Sequence, residues 1–157
     1  MFKQVFSNGC DSIYLQKNSL GRILAIDYGT KRVGIAVTDP LQIIANSLTT
    51  VHSSEVIMFL TGYFLKEDVE TIIVGDPNPI ANEDRKMKTI IDAFVKNLTK
   101  KFPEKKMVRF DERFTSLLAK RTMIQSGIGK KARTNKGLLD KISATIILQE
   151  YLDTIKK

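Results

Sequence analysis

Downstream of residue 21 the apolar positions fall into two alternating periods, and the changes of period mark the elements. Arg22 to Asp27 (RILAID) and Val33 to Thr38 (VGIAVT) are short apolar runs of strand length, joined by a polar turn in which Gly29 supplies conformational freedom. Pro40 closes the second strand, and Ser47 to Val51 predicts a third. The period then lengthens. Val56, Phe59, Leu60, Tyr63 and Phe64 lie on one face of a helix that Ser53 or Ser54 is placed to cap. Glu70 to Gly75 (ETIIVG) is an apolar run ending at Gly-Asp-Pro, which predicts a buried strand. Met87, Ile90, Ile91, Phe94, Val95, Leu98 and Phe102 then hold helical spacing, with acids in the first turn, Lys100 and Lys101 in the last, and Pro103 as the stop. Met107 to Phe110 predicts a fifth strand. Thr115 begins a helix to about Ser126, ended by Gly127 and Gly129, and Leu138 to Ile155 predicts a closing helix.

Three strands followed by strand–helix alternation predict an α/β fold. Its five-stranded mixed sheet combines a three-strand antiparallel meander with two parallel strands and carries helices on its faces. Residues 1–19 show no sustained period and are expected to lie outside the core as an N-terminal extension, leaving 20–157 as a single domain. No internal repeat or low-complexity linker interrupts it.

Composition changes this picture in two places. Of the 157 residues 43% are hydrophobic and 27% charged, as in ordinary globular proteins, and no apolar run is long enough to span a membrane. A lone cysteine, Cys10, cannot form an internal disulfide and suits a reducing cytoplasm. A single cysteine and a single histidine, His52, come close to excluding a His/Cys zinc site or a Ser-His-Asp triad, and His52 itself is expected to be an incidental surface residue. Catalysis, if any, falls to carboxylates, lysines or a metal on oxygen ligands. The net charge of +8 is concentrated: Lys120, Arg121, Lys130, Lys131, Arg133 and Lys136 are six basic residues in a stretch without an acid. Such a run attracts polyanions, and without interleaved aromatics it does not resemble a membrane-surface helix.

Ligands of such sheets gather outside the carboxyl ends of the parallel strands, and the acids stand there. Asp27 ends the first strand, Asp76 the fourth, and Asp111 and Glu112 the fifth. Asp140 is expected in the first turn of the last helix, three residues before the small pair Ser143–Ala144, which would let that helix lie close to the sheet and bring Asp140 toward Asp27. Each acid alone has an ordinary explanation: a turn residue, a helix N-terminal charge, a surface ion pair. Together they would repel unless a cation neutralises them, and Mg²⁺ or Mn²⁺ takes ligands of this kind. Two such ions about 4 Å apart can activate water in phosphodiester cleavage. Lys31 and Arg32, just past Asp27, would then face the incoming phosphates.

The stretches RILAIDYGTKRVGIAVTD, IIVGDP, VRFDERFTS and ARTNKGLLDKISATIILQEYL resemble the YqgF-type family over roughly Gly21 to Leu152. That family is ribonuclease-H-like and regarded as pre-16S rRNA nucleases, earlier as Holliday-junction-resolvase-like. The resemblance implies catalytic, metal-holding acids at Asp27, Glu112 and Asp140, basic residues Lys31, Arg32 and Arg113 within the same motifs, a divalent metal, and cytoplasmic ribosome maturation. Lys130, Lys131, Arg133 and Lys136 are expected to hold the nucleic-acid backbone, with pre-rRNA, structured DNA or ribosomal precursor particles as partners. Two features depart from the family pattern. Asp76 stands where an apolar residue is usual, and residues 1–19 have no counterpart, so the true start is expected near Leu20. Three other readings compete: a junction resolvase, a non-catalytic nucleic-acid-binding module that kept the fold, and a lobe of an actin-like ATPase suggested by DYGT. The last needs two lobes, and the chain provides one.

Overall fold

The computed structural model describes residues 21–76, 82–111 and 136–156. In chain order the elements are β1 (Arg22–Tyr28), β2 (Arg32–Thr38), β3 (Ala45–His52), α1 (Val56–Phe64), β4 (Val69–Asp76), α2 (Asn82–Lys101), β5 (Lys106–Asp111) and α3 (Lys136–Ile155). The helix expected over 115–126 lies outside the described residues.

The strands form one five-stranded sheet in the order β3-β2-β1-β4-β5. β1 pairs antiparallel with β2, and β2 with β3, whereas β4 runs parallel to both β1 and β5. Connection length dictates this. The β1–β2 turn is too short for anything but a hairpin, and α1 and α2 supply the crossovers that parallel neighbours need. Gly29 makes the hairpin turn possible, because its N–H donates to the Arg32 carbonyl at 2.9 Å and a Cβ there would lie 2.6 Å from that oxygen.

Strand alternation sends successive side chains to two different cores. Leu24, Ile26, Val33, Ile35, Val37, Ile72 and Val74 face α1 and α2, where they meet Leu60, Ile91, Phe94, Leu98 and Phe102. Ile23, Ala25, Ala36 and Ile73 face α3 and pack on Ala144, Ile147, Leu148 and Leu152. The first core is thick and built from large side chains, each contributing about 1.5–3 kcal/mol on burial. The second has alanines at the centre of the sheet.

Three local expectations are corrected. α1 is capped by Glu55 without a side-chain hydrogen bond. The two serines serve the adjoining turns instead: Ser53 donates its hydroxyl to the Thr30 carbonyl, and Ser54 pairs with His52 Nδ1. On α2 the buried line runs through Ile91, Phe94 and Leu98, with Phe102 just past its end, and leaves Ile90 at its edge and 40% exposed. α3 starts at Lys136, so Asp140 sits one turn further in than the first. The strands also extend beyond their apolar runs, β4 to Asp76 and β3 back to Ala45.

Candidate active site

Three residues on three adjacent strands share one lateral row of the sheet. Asp27 on β1 is the cross-strand partner of Gly34 on β2, and Gly34 is the partner of Thr50 on β3. Cross-strand partners project to the same face. By alternation, Asp27 follows Ile23 and Ala25 to the side covered by α3. This is why an apolar strand can end on a partly buried acid: Asp27 is the last position of β1 on the thin core.

α3 lies across this row, and its residues meet the row in helical steps. The Thr50 hydroxyl donates to the Gly137 carbonyl at 2.9 Å. The backbone of Asp140 passes directly over Gly34, so closely that a Cβ on Gly34 would stand 2.1 Å from the Asp140 carbonyl oxygen and 2.5 Å from its carbon. Ser143, 4% exposed, reaches the Asp27 carboxylate with its hydroxyl. Positions 137, 140 and 143 recur at the spacing that keeps a helix on one face. The missing side chain of Gly34 is therefore what lets Asp140 come down beside Asp27.

The electrostatics follow from that closeness. Burial, and then the nearby Asp140 charge, push Asp27 up to about 7, while the Ser143 hydrogen bond partly offsets them. Asp140 is met from the other side by Arg32, whose Nε lies 2.9 Å from Oδ2. Arg32, Gly34 and Ala36 alternate onto the α3 face of β2, which places the guanidinium at the mouth of the acid pair. Lys31 and Lys136 are exposed.

Asp76 does not join this pair. Its Oδ1 accepts from Arg109 at 2.9 Å and its Oδ2 lies 3.7 Å from Lys88, while Arg109 also bonds Asp92. Its charge is thus balanced within a network tying β4 and β5 to α2, which gives the unusual acid before Pro77 a structural partner set. Glu112, Arg113, Lys130, Lys131 and Arg133 lie outside the described residues. Among the described residues no group of three or more potential ligands converges, and the centre consists of Asp27 and Asp140. Two contributors escaped the sequence reading, Gly34 and Thr50. A glycine inside a strand pattern is the signal that marks close backbone approach; a lone strand threonine carries none.

A mixed sheet in this order, with one carboxylate ending its central strand and another on the helix that crosses it, has the ribonuclease-H-like architecture of a nuclease. Residues 21–154 match the family model of RuvX, described as Holliday junction resolvase, and the chain belongs to that family. A protein of Bacteroides thetaiotaomicron named "Putative pre-16S rRNA nuclease" is 55% identical over 135 residues, 86% of this chain and 98% of that protein. Proteins given the same name in Flavobacterium johnsoniae and Amoebophilus asiaticus are 51% identical over 133 residues and 48% over 138. They cover 85% and 88% of this chain, and 96% and 98% of their own lengths.

Proposed function

We propose that this protein is a metal-dependent nuclease that hydrolyses phosphodiester bonds during 5′-end maturation of pre-16S rRNA in the cytoplasm. The observation that carries the reading is the packing of Asp140 over Gly34, which sets a second carboxylate beside Asp27 on the central strand. The donor chemistry fits a hard divalent cation. All the proposed ligands are carboxylate oxygens; burial and then the Asp140 charge raise Asp27, and a cation relieves the repulsion between the two acids. Asp27, Asp140 and Glu112 would hold Mg²⁺ or Mn²⁺, which when bound lowers the pKa of coordinated water and stabilises the charge of the leaving oxygen. Ser143 fixes the rotamer of Asp27, and the Thr50–Gly137 bond fixes the start of α3. Lys31, Arg32 and Arg113, with Lys130, Lys131, Arg133 and Lys136, would hold the phosphate backbone, and the names of the relatives support rRNA as the substrate.

The test is cleavage by the purified protein, in Mg²⁺ or Mn²⁺, of a pre-16S leader RNA. The family description also favours a four-way DNA junction, which is assayed beside it. Asp27→Asn keeps the shape but removes the charge, so cleavage is expected to fall by roughly a thousandfold or more, since charge stabilisation and positioning are both lost. Its circular dichroism spectrum should match that of the wild type. Cleavage of both substrates by Asp27→Asn at the wild-type rate would show that this site is not the nuclease centre.

A further inference from the structure

Arg32 stands at the acid pair, on the α3 side of β2. Its side chain is 41% exposed, it reaches across from β2 to α3, and its Nε holds Asp140 Oδ2 at 2.9 Å, whereas the Asp140 side chain is 24% exposed. One carboxylate oxygen of the pair is therefore already committed to a fixed positive charge. A guanidinium cannot release that charge by deprotonation. A divalent cation approaching the same carboxylate meets like charge until Arg32 moves, and the exposed side of Arg32 leaves it room to do so. A phosphodiester offers the guanidinium a better seat, because its two free oxygens accept the parallel N–H bonds that the Nε contact to Asp140 leaves partly unused.

From this geometry we infer that Arg32 is an exchangeable gate on the metal site. With no nucleic acid bound it closes Asp140 to the cation; a backbone phosphate draws it away and opens the site. Metal loading is thereby coupled to substrate binding, and by linkage each tightens the other by the same factor. The inference rests on the metal-nuclease reading and adds to it a regulation of the same centre: the protein free of nucleic acid holds its cation weakly.

The measurement is Mn²⁺ binding to the full chain, followed by the loss of the free-ion signal in electron paramagnetic resonance. Wild type, Arg32→Gln and Arg32→Lys are compared without nucleic acid. Arg32→Gln removes the competing charge and is expected to bind Mn²⁺ about tenfold more tightly than wild type, a coupling of ordinary size. Arg32→Lys keeps the charge and should stay close to wild type, which separates charge competition from general loosening. A nuclease-resistant locked-nucleic-acid oligonucleotide with natural phosphodiesters, blanked against the oligonucleotide alone, should then tighten Mn²⁺ on wild type by several-fold more than on Arg32→Gln, which keeps only the direct contact between phosphate and metal. Equal Mn²⁺ affinity in wild type and Arg32→Gln, or equal tightening of both by the oligonucleotide, overturns the gate while leaving the metal site standing. Absence of Mn²⁺ binding in all three proteins overturns the gate together with the metal reading beneath it.

Discussion

The two faces of the sheet are built to different thicknesses, and the contrast separates the larger core from the proposed active site. On the α1/α2 face, leucines, isoleucines and phenylalanines fill the space between sheet and helices. On the α3 face, Ala25, Ala36 and Gly34 oppose Ser143, Ala144 and the bare backbone at Asp140. The thick face holds the larger set of buried apolar side chains and is expected to carry more of the stability. The thin face gives up that area to bring a helix backbone into contact with the sheet, and at that contact two carboxylates meet.

The sharpest way to break this contrast is to thicken the thin face. Gly34→Val would drive α3 off the row and carry Asp140 with it. Misplacement of a catalytic group by about 1 Å can cost about a hundredfold in rate, so a loss of at least that size is expected in the cleavage assay. Ala36→Gly, which thins the same face further, should leave the rate close to wild type at a temperature where both proteins are folded. The converse break is made in the thick face. Leu98 is fully buried there, and Leu98→Ala is expected to cost about 2–5 kcal/mol in urea unfolding through transfer and cavity terms. The rate per folded molecule should be retained, and a collapse of that rate would show that the faces are not separable.

A pH experiment sharpens the comparison further. Burial and the Asp140 charge raise Asp27 from 3.8 to about 7, so in chelator the folded state holds a proton that the unfolded chain releases. The sign follows: stability is greatest at low pH, declines between roughly the two values, and has lost this contribution above about 7. Wild type should therefore lose more thermal stability than Asp27→Asn between pH 5 and pH 8, and the variant should be the more stable at pH 8. Parallel curves for the two proteins would contradict the raised Asp27 carboxyl. The smallest effect belongs to Thr50→Val, which removes the hydroxyl bond to Gly137. About 1 kcal/mol is expected, or about 2–4 °C in the melting temperature of a domain this size.

Much of this was legible in the chain because the physics was local. The apolar runs of β1, β2 and β4 and the buried line of α2, from which only Ile90 of the predicted stripe strays into solvent, are set by strand and helix periods alone, and the turn lengths decide which neighbours run antiparallel. Asp27 could be singled out because an acid at the end of an apolar strand is anomalous, and Ser143–Ala144 announced a close helix. The site's closeness was harder to see, since Gly34 matters only once α3, more than a hundred residues later, is laid across it. The cap of α1 misled for a related reason. Ser53 and Ser54 both satisfy the cap preference, but their hydroxyls are taken by Thr30 and His52 in neighbouring turns. The part played by Asp76 depended on Arg109 and Lys88, which lie near it only in three dimensions.

The lateral row has a further consequence, in the order of synthesis. Its strand residues, Asp27, Gly34 and Thr50, belong to a hairpin meander complete within the first third of the chain, but the groups that cover them come from residues 137 to 143. The Arg32–Asp140 pair alone spans 108 positions. At ordinary elongation rates that interval is about 5–20 s of translation. Once β3 is made, the nascent chain holds the meander that carries this row without the helix that covers it. A polypeptide halted before Lys136 carries Asp27 without Asp140, so on the proposed site truncated products are expected to be nucleolytically silent. If the proposed site is the nuclease centre, activity is expected to appear only once α3 is complete.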